Sequence, residues 1–360
     1  MSKTPIVGRR EFLKTAGGGL ATLAVARTEA GAAPAGRQAV PERLRIDVHG
    51  HYFPTDYLDM LDRFGGGGTG TGSARAVPAD GSPAELASRF AMMDRAGMQM
   101  QVLSAAPQLP YFEDQDQAVT AAQFINDAYA EMVERHPERF AAYAVTPLPH
   151  VDASIEEMGR ALDTLGMVGI TMGTSVMETS VADPMFDPFW AELDRRGAIL
   201  FLHPSGLGAC SPLVQGGLTW PIGATIEDTM VVAHLTAQAI PLRYPRVRII
   251  VPHLGGETSM LIRRLDNQKG MFLPADAEAP SVTARRLWYD TVAHGYAPAL
   301  QMAVDAFGAD RMVLGTDFPY LIGDVFQDAV DYIARALPAE QAEAIQDRNA
   351  QALFRLNPPA

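Results

Sequence analysis

Apolar and polar positions fall into two alternating rhythms along most of this chain. Short apolar runs, bounded by turn residues, read as buried strands. Eight stand out: "RIDVH" (45–49), "MQVLSA" (100–105), "AAYAVTPL" (141–148), "VGITMG" (168–173), "AILFLH" (198–203), "VRIIVPH" (247–253), "LWYDTV" (287–292) and "RMVLGTD" (311–317). Helical patterns lie between them. Ser82-Pro83-Ala84-Glu85 opens one with a capping box and a proline at its first position. The run "DQDQAVTAAQFINDAYAEMVERHPERF" has an apolar stripe at Ala118, Ala122, Ile125, Tyr129 and Met132 and stops before Pro137. Asp152 caps "ASIEEMGRALDTLG", and "FWAELDRRG" ends at Gly197. Strand–helix alternation repeated eight times predicts an α/β fold of parallel strands covered by helices. Closing the eight units gives a (β/α)8 TIM barrel over residues 44–360, and a doubly wound open sheet is the second architecture that fits.

Two stretches break the rhythm. Residues 64–82, "FGGGGTGTGSARAVPADGS", insert dense glycine after the first strand. This is either a tolerated surface insertion or a mobile lid over the face where barrel enzymes keep their chemistry. The N-terminus reads as a targeting segment. Arg9-Arg10 precede Phe12-Leu13-Lys14, a small mildly apolar run follows, and Ala30-Gly31-Ala32 offers a cleavage site. The paired arginines resemble a twin-arginine export signal over residues 1–32, followed by a linker, "APAGRQAVPER", at 33–43. The expected location is periplasmic or secreted.

Charge and cysteine content narrow the partners. Asp and Glu number 42 against 29 Lys and Arg, which argues against nucleic acid or an anionic membrane surface. Removing residues 1–32 takes five basic and two acidic side chains and leaves a mature net charge of about −16. No later apolar stretch is long enough to span a membrane. Cys210 is alone, so no intramolecular disulfide braces the fold.

The strand ends carry the candidate chemistry. The first ends His49-Gly50-His51, the fifth at His203, the sixth at His253 and the eighth at Asp317. In a barrel the C-terminal ends of all strands open on one face, so these five side chains converge. Period-2 alternation points His49 and His51 the same way, which lets two imidazoles grip one ion. Imidazole with carboxylate suits zinc or a similar divalent metal. Asp47 is expected on the face of His49 and His51, as a group orienting them or as a solvated interior carboxylate. His136 and His234 read as structural, and His294 is within reach of the mouth without reading as a ligand.

"RIDVHGH", "FLHPS", "VPHLGG" and "VLGTDFP", in this order, resemble the amidohydrolase superfamily. The branch is the one containing 2-amino-3-carboxymuconate-6-semialdehyde decarboxylase, and the resemblance runs from residue 44 through "MDRAGMQMQVLS" to "NAQALF". It implies that His49, His51, His203 and Asp317 ligate a single divalent metal, usually Zn2+, with His253 as catalytic acid/base beside it. It also implies three substrate-binding residues. Trp220 falls where the family has an active-site tryptophan, and core or interface packing is its other reading. Arg264 matches a carboxylate-binding arginine supplied across a homodimer interface, or else makes a helix-surface ion pair. Arg75 stands in the glycine-rich loop for a second such arginine. Family members with two metals bridge them by a carboxylated lysine at the end of strand four. Here that strand ends Met172-Gly173-Thr174 and the mature chain has only Lys269, so one metal is expected.

Two reactions fit these parts. One is non-oxidative decarboxylation of an unsaturated or aromatic carboxylic acid, favoured by Arg264, by the absent bridging lysine and by the carboxy-lyase branch. The other is hydrolysis of a lactone, amide or ester carbonyl by an activated water, which export from the cytoplasm favours. A non-catalytic exported zinc-binding protein is the third reading. His253, which ligation does not require, argues against it.

Overall fold

In the computed structural model, residues 44–65, 70–206 and 216–355 are described, and eight parallel strands form one sheet. They are β1 Ile46–His51, β2 Met100–Ser104, β3 Phe140–Ala144, β4 Gly169–Gly173, β5 Ile199–His203, β6 Arg248–Val251, β7 Trp288–Asp290 and β8 Met312–Val313. Spatial order follows chain order, and each neighbouring pair is parallel. The two ends of the sheet meet. The Val48 N–H donates to the Leu314 carbonyl at 2.9 Å, and the His51 N–H donates to the Phe318 carbonyl at 2.8 Å. Gly50 also bridges Phe318 in parallel register. This seam closes a (β/α)8 barrel. A doubly wound sheet would reverse its strand order at a switch point and leave two edges open, so that architecture is excluded. The expected export signal (1–32), the linker (33–43) and Cys210 lie outside the described residues.

The longer helices are α1 Thr55–Arg63, α2 Pro83–Arg95, α3 Gln115–Arg135, α4 Val151–Asp163, α5 Asp187–Arg196, α6 Ala224–Ala237, α7 Thr258–Gln268, α8 Ala297–Phe307 and α9 Asp324–Ala336. Ile46, Val48, Val102, Tyr143, Phe201, Ile250 and Val313 form one buried apolar cluster. Side chains from strands so far apart in the ring meet only in its interior. Ala350 and Leu353 of the short helix Asn349–Phe354 join this cluster. That helix sits where strands begin, since Gln351 donates to the Leu44 carbonyl and Asn349 to those of Ala309 and Met312. The opposite end of the barrel is thereby left for the site. Among the described residues no helix is long and apolar enough to cross a membrane.

Three local expectations are corrected. Ser82 does cap α2, accepting from the Glu85 N–H at 3.4 Å, but the reciprocal half of the capping box is absent. Asp80 takes the Ser82 N–H at 3.0 Å, and the Glu85 carboxylate turns inward to Arg89. Asp152 is not a cap: α4 starts at Val151, and its cap position is held by His150, whose ring bonds the Phe112 carbonyl instead. The sixth and eighth strands stop short of their apolar runs. His253 and Asp317 adopt φ of 51° and 59°, a left-handed conformation that no strand ladder accommodates.

In the glycine-rich stretch, Gly72–Arg75 forms a helical turn. The Phe53 N–H donates to the Ala79 carbonyl at 2.7 Å, which ties the end of this stretch back to the chain after β1.

Candidate metal centre

His49 and His51 end β1, His203 ends β5, and Asp317 follows β8. One donor atom from each lies within 4.8 Å of the other three, so this set can hold a metal ion. The three imidazoles are buried. His49 Nε2 stands 3.2 Å and His51 Nε2 3.1 Å from Asp317 Oδ1. His49 Nε2 has no hydrogen-bond partner although it is shielded from water. An orphaned buried ring nitrogen is costly unless something else takes its lone pair.

The other nitrogen of two ligands is spoken for. His49 Nδ1 lies 2.7 Å from Asp290 Oδ2, and His203 Nδ1 lies 2.9 Å from the Pro204 carbonyl. A protonated Nδ1 donating to oxygen leaves Nε2 free to coordinate, and the acceptor fixes the ring's orientation. The donor chemistry and the orphaned nitrogen both fit a divalent cation.

Charges in this cluster are strongly coupled. Burial would push the His49 imidazole down, but Asp317 and Asp290 outweigh it and raise it to about 9. Burial works upward on Asp317, yet the neighbouring His49, His253 and His51 imidazoles hold its carboxyl well below the usual range. Burial lowers His51, and burial with the neighbouring His51 and His49 drives His203 well below its ordinary value. A low value favours the neutral imidazole that ligation requires.

His253 stands beside this set. Its Nδ1 is 2.8 Å from Asp228 Oδ2 on α6, and its backbone N–H donates to Asp290 Oδ1 at 2.8 Å. Its Nε2 is 3.9 Å from Asp317 Oδ2. Burial would lower this imidazole, but Asp228 and Asp317 outweigh it and lift it well above its ordinary value. Burial raises the Asp228 carboxyl to about 7. The left-handed backbone from His253 to Gly256 turns the chain sharply here, and Gly256 is obligatory. A Cβ on it would lie 2.1 Å from the Thr225 carbonyl oxygen.

A cavity of about 640 Å³ opens onto these groups, lined among others by His203, His253, Asp317, Trp220, His294 and Tyr320. Trp220 is therefore at the site, on a π-helical turn, Thr219–Gly223, that leads into α6. Arg264 is not a lining residue. It is exposed on α7 and makes no ion pair or hydrogen bond among the described residues. Arg75 is elsewhere as well, its guanidinium held 2.7 Å from both Asp59 and Asp62 of α1. Neither an arginine nor a lysine is among the described lining residues.

Asp47 has a different part from either expected one. It accepts from the His49 N–H, the Thr316 N–H and hydroxyl, and the Gln101 amide, at 2.6 to 3.0 Å. It braces the backbone of β1 and of the segment before Asp317 rather than an imidazole. The register between β1 and β2 slips between Asp47 and Gly50, so simple alternation does not run through this strand end. Gly50 is not demanded by space, since a Cβ there would make ordinary contact with Gln101. Gly315 is: its Cβ would lie 2.8 Å from that of Asp290. Asp290 and Asp228 are site residues that the sequence alone does not single out. Asp290 ends β7, yet the apolar run around it continues to Val292. Asp228 sits within a helix.

The family described as Amidohydrolase matches residues 46–356. The chain is 26% identical over 300 residues to the 2-amino-3-carboxymuconate-6-semialdehyde decarboxylase of Dictyostelium discoideum, covering 78% of this chain and 83% of that one. It is 31% identical over 299 residues to decarboxylase yanB of Aspergillus niger, covering 77% of each. A dihydroxybenzoic acid decarboxylase from Polaromonas, solved with bound manganese, superposes with a TM-score of 0.72 at 21% identity, covering 88% of this chain and 98% of that one.

Proposed function

The chain belongs to the amidohydrolase family, and from that premise we propose that it is a metal-dependent, non-oxidative carboxy-lyase of an aromatic or otherwise unsaturated carboxylic acid. The observation that carries this is His253, anchored by Asp228 and facing the cavity beside a His49–His51–His203–Asp317 donor set. The decarboxylases that the chain resembles favour this reading over hydrolysis of a lactone, amide or ester.

His49, His51, His203 and Asp317 would hold the ion. When bound it supplies Lewis acidity, drawing electron density from a substrate oxygen. The apolar wall around Trp220 packs the planar body of the acid and excludes water. His253, hydrogen-bonded through Nδ1, delivers a proton from Nε2 to the carbon that bears the carboxylate. The C–C bond then breaks, its electron pair returns to the conjugated system, and CO2 leaves. Hydrogen replaces the carboxylate with no change in oxidation state elsewhere, so no redox cofactor is needed. Zn2+ is the ion we assign from the three-imidazole, one-carboxylate set. The manganese of the Polaromonas relative makes Mn2+ the alternative, which elemental analysis decides.

The test is a mixed panel of hydroxybenzoates, unsaturated diacids, lactones and anilides given to metal-loaded protein. CO2 release from an acid is expected. Hydrolysis without CO2 would replace this reading, and zinc binding with no turnover would return the non-catalytic one.

Two further assignments complete the proposal. We place Arg264, exposed and with no ion pair or hydrogen bond among the described residues, in the cavity of a second copy, where it would meet the substrate carboxylate. A fully active monomer by sedimentation would reject this. We also assign residues 1–32 as a twin-arginine signal directing the protein to the periplasm or beyond. Changing Arg9-Arg10 to Lys-Lys is expected to leave unprocessed protein in the cytoplasm, and normal export of that variant would remove the assignment.

A further inference from the structure

Arg89 of α2 is only 1% exposed, an unusual place for a guanidinium. Its Nε donates to Glu85 Oε1 at 2.6 Å, one helical turn earlier, and Glu85 is itself buried. Its Nη2 donates to the His51 carbonyl oxygen at 2.9 Å. Its guanidinium carbon stands 4.2 Å from the centre of the Phe318 ring.

These contacts fall on the residues that close the barrel. His51 is the last residue of β1, Phe318 follows Asp317, and the two are joined by the bond from the His51 N–H to the Phe318 carbonyl. The His51 backbone is thus held on both sides, by the Phe318 carbonyl at its N–H and by Arg89 at its own carbonyl. The helix has no need of this arrangement. Glu85 stands where a reciprocal cap would place it, and its carboxylate serves Arg89 instead.

We propose that Glu85 and Arg89 form a positioning pair for the metal centre, fixing His51 and Asp317 against each other across the closing seam before an ion arrives. The argument rests on reading His49, His51, His203 and Asp317 as the ligands. Glu85 neutralises and orients the guanidinium, the guanidinium pins the His51 carbonyl, and its face rests on the ring next to Asp317. Losing the pin lets the two ligand-bearing strand ends drift, and a drift of some tenths of an ångström is enough to degrade coordination.

The experiment separates affinity from folding. Metal-free protein is titrated with Zn2+ and with Mn2+ against a chromophoric chelator, and its thermal midpoint is recorded without metal. Wild type should bind one ion per chain and Asp317→Ala should not. Failure of that baseline would reject the ligand set itself, separately from the pair. Arg89→Lys keeps the charge but loses the planar fork, and should weaken the dissociation constant by about 10- to 100-fold, the usual cost of losing a group that orients a ligand. Glu85→Gln should move it the same way. A dissociation constant within about twofold of wild type in folded Arg89→Lys would overturn the proposal. So would a lowered midpoint with unchanged affinity, because that is what a purely structural pair gives. If Arg89→Lys does not fold, Phe318→Leu stands in, since it removes the ring and leaves the charge pair intact. Weaker binding in it supports the proposal and unchanged binding sinks it.

Discussion

Turnover of His253→Ala is expected to fall by about 10²- to 10⁴-fold, while the protein keeps its metal. A thousandfold loss corresponds to about 4 kcal/mol of transition-state stabilisation, a reasonable share for one positioned proton carrier. The geometry sets both halves of this expectation. His253 Nε2 reaches only to 3.9 Å from Asp317, and His253 lies outside the four-donor set. Its Nδ1 and backbone N–H are both committed to carboxylates, Asp228 and Asp290. Elemental analysis beside steady-state kinetics checks the result. Loss of metal in step with activity would make His253 a ligand and take away the proton donor.

Asp317→Ala should instead lose the metal. It removes the one anionic donor, the oxygen that lies 3.1 to 3.2 Å from the ring nitrogens of both β1 histidines. Affinity is expected to weaken by more than about 100-fold, beyond the usual cost of a group that merely supports a ligand. Activity should vanish with occupancy and should not return on adding excess Zn2+ at ordinary concentrations. The metal-free fold should change little, because the seam at the Phe318 carbonyl is a backbone contact that the substitution leaves in place. Unchanged metal content would overturn the four-ligand scheme. The two variants together separate proton delivery from ion holding.

The barrel was legible in the sequence because buried parallel strands read as near-continuous apolar runs, and eight such runs alternate with helices. The converging residues were legible for a related reason: His49, His51, His203 and Asp317 each break an apolar run with a polar group at its end. Asp290 is obscured because the apolar run "LWYDTV" continues to Val292, and only the structure ends the strand at Asp290. Asp228 and Arg89 were not legible. Each lies inside a helix where a charged residue is ordinary, and only the tertiary fold turns it towards the site. Strand alternation puts Asp47 on the face of the imidazoles, but the register slip in β1 breaks that alternation. The family resemblance implies Arg75 as a second carboxylate-binding arginine, whereas two carboxylates on α1 claim its guanidinium. A sequence reports which charges exist but not which neighbours claim them.

The left-handed backbone at His253 and Asp317 has a consequence for anyone improving this protein in the laboratory. A non-glycine residue in that conformation costs on the order of 1–3 kcal/mol, and only glycine, or less freely asparagine and aspartate, relieves it. Glycine at position 253 would relieve that cost but leave the fully buried Asp228 carboxylate without the imidazole that now holds it, a loss at least as large as the gain. Directed evolution towards robustness needs a catalytic screen in every round, because the backbone conformation, the buried pair and the chemistry all sit on this one residue.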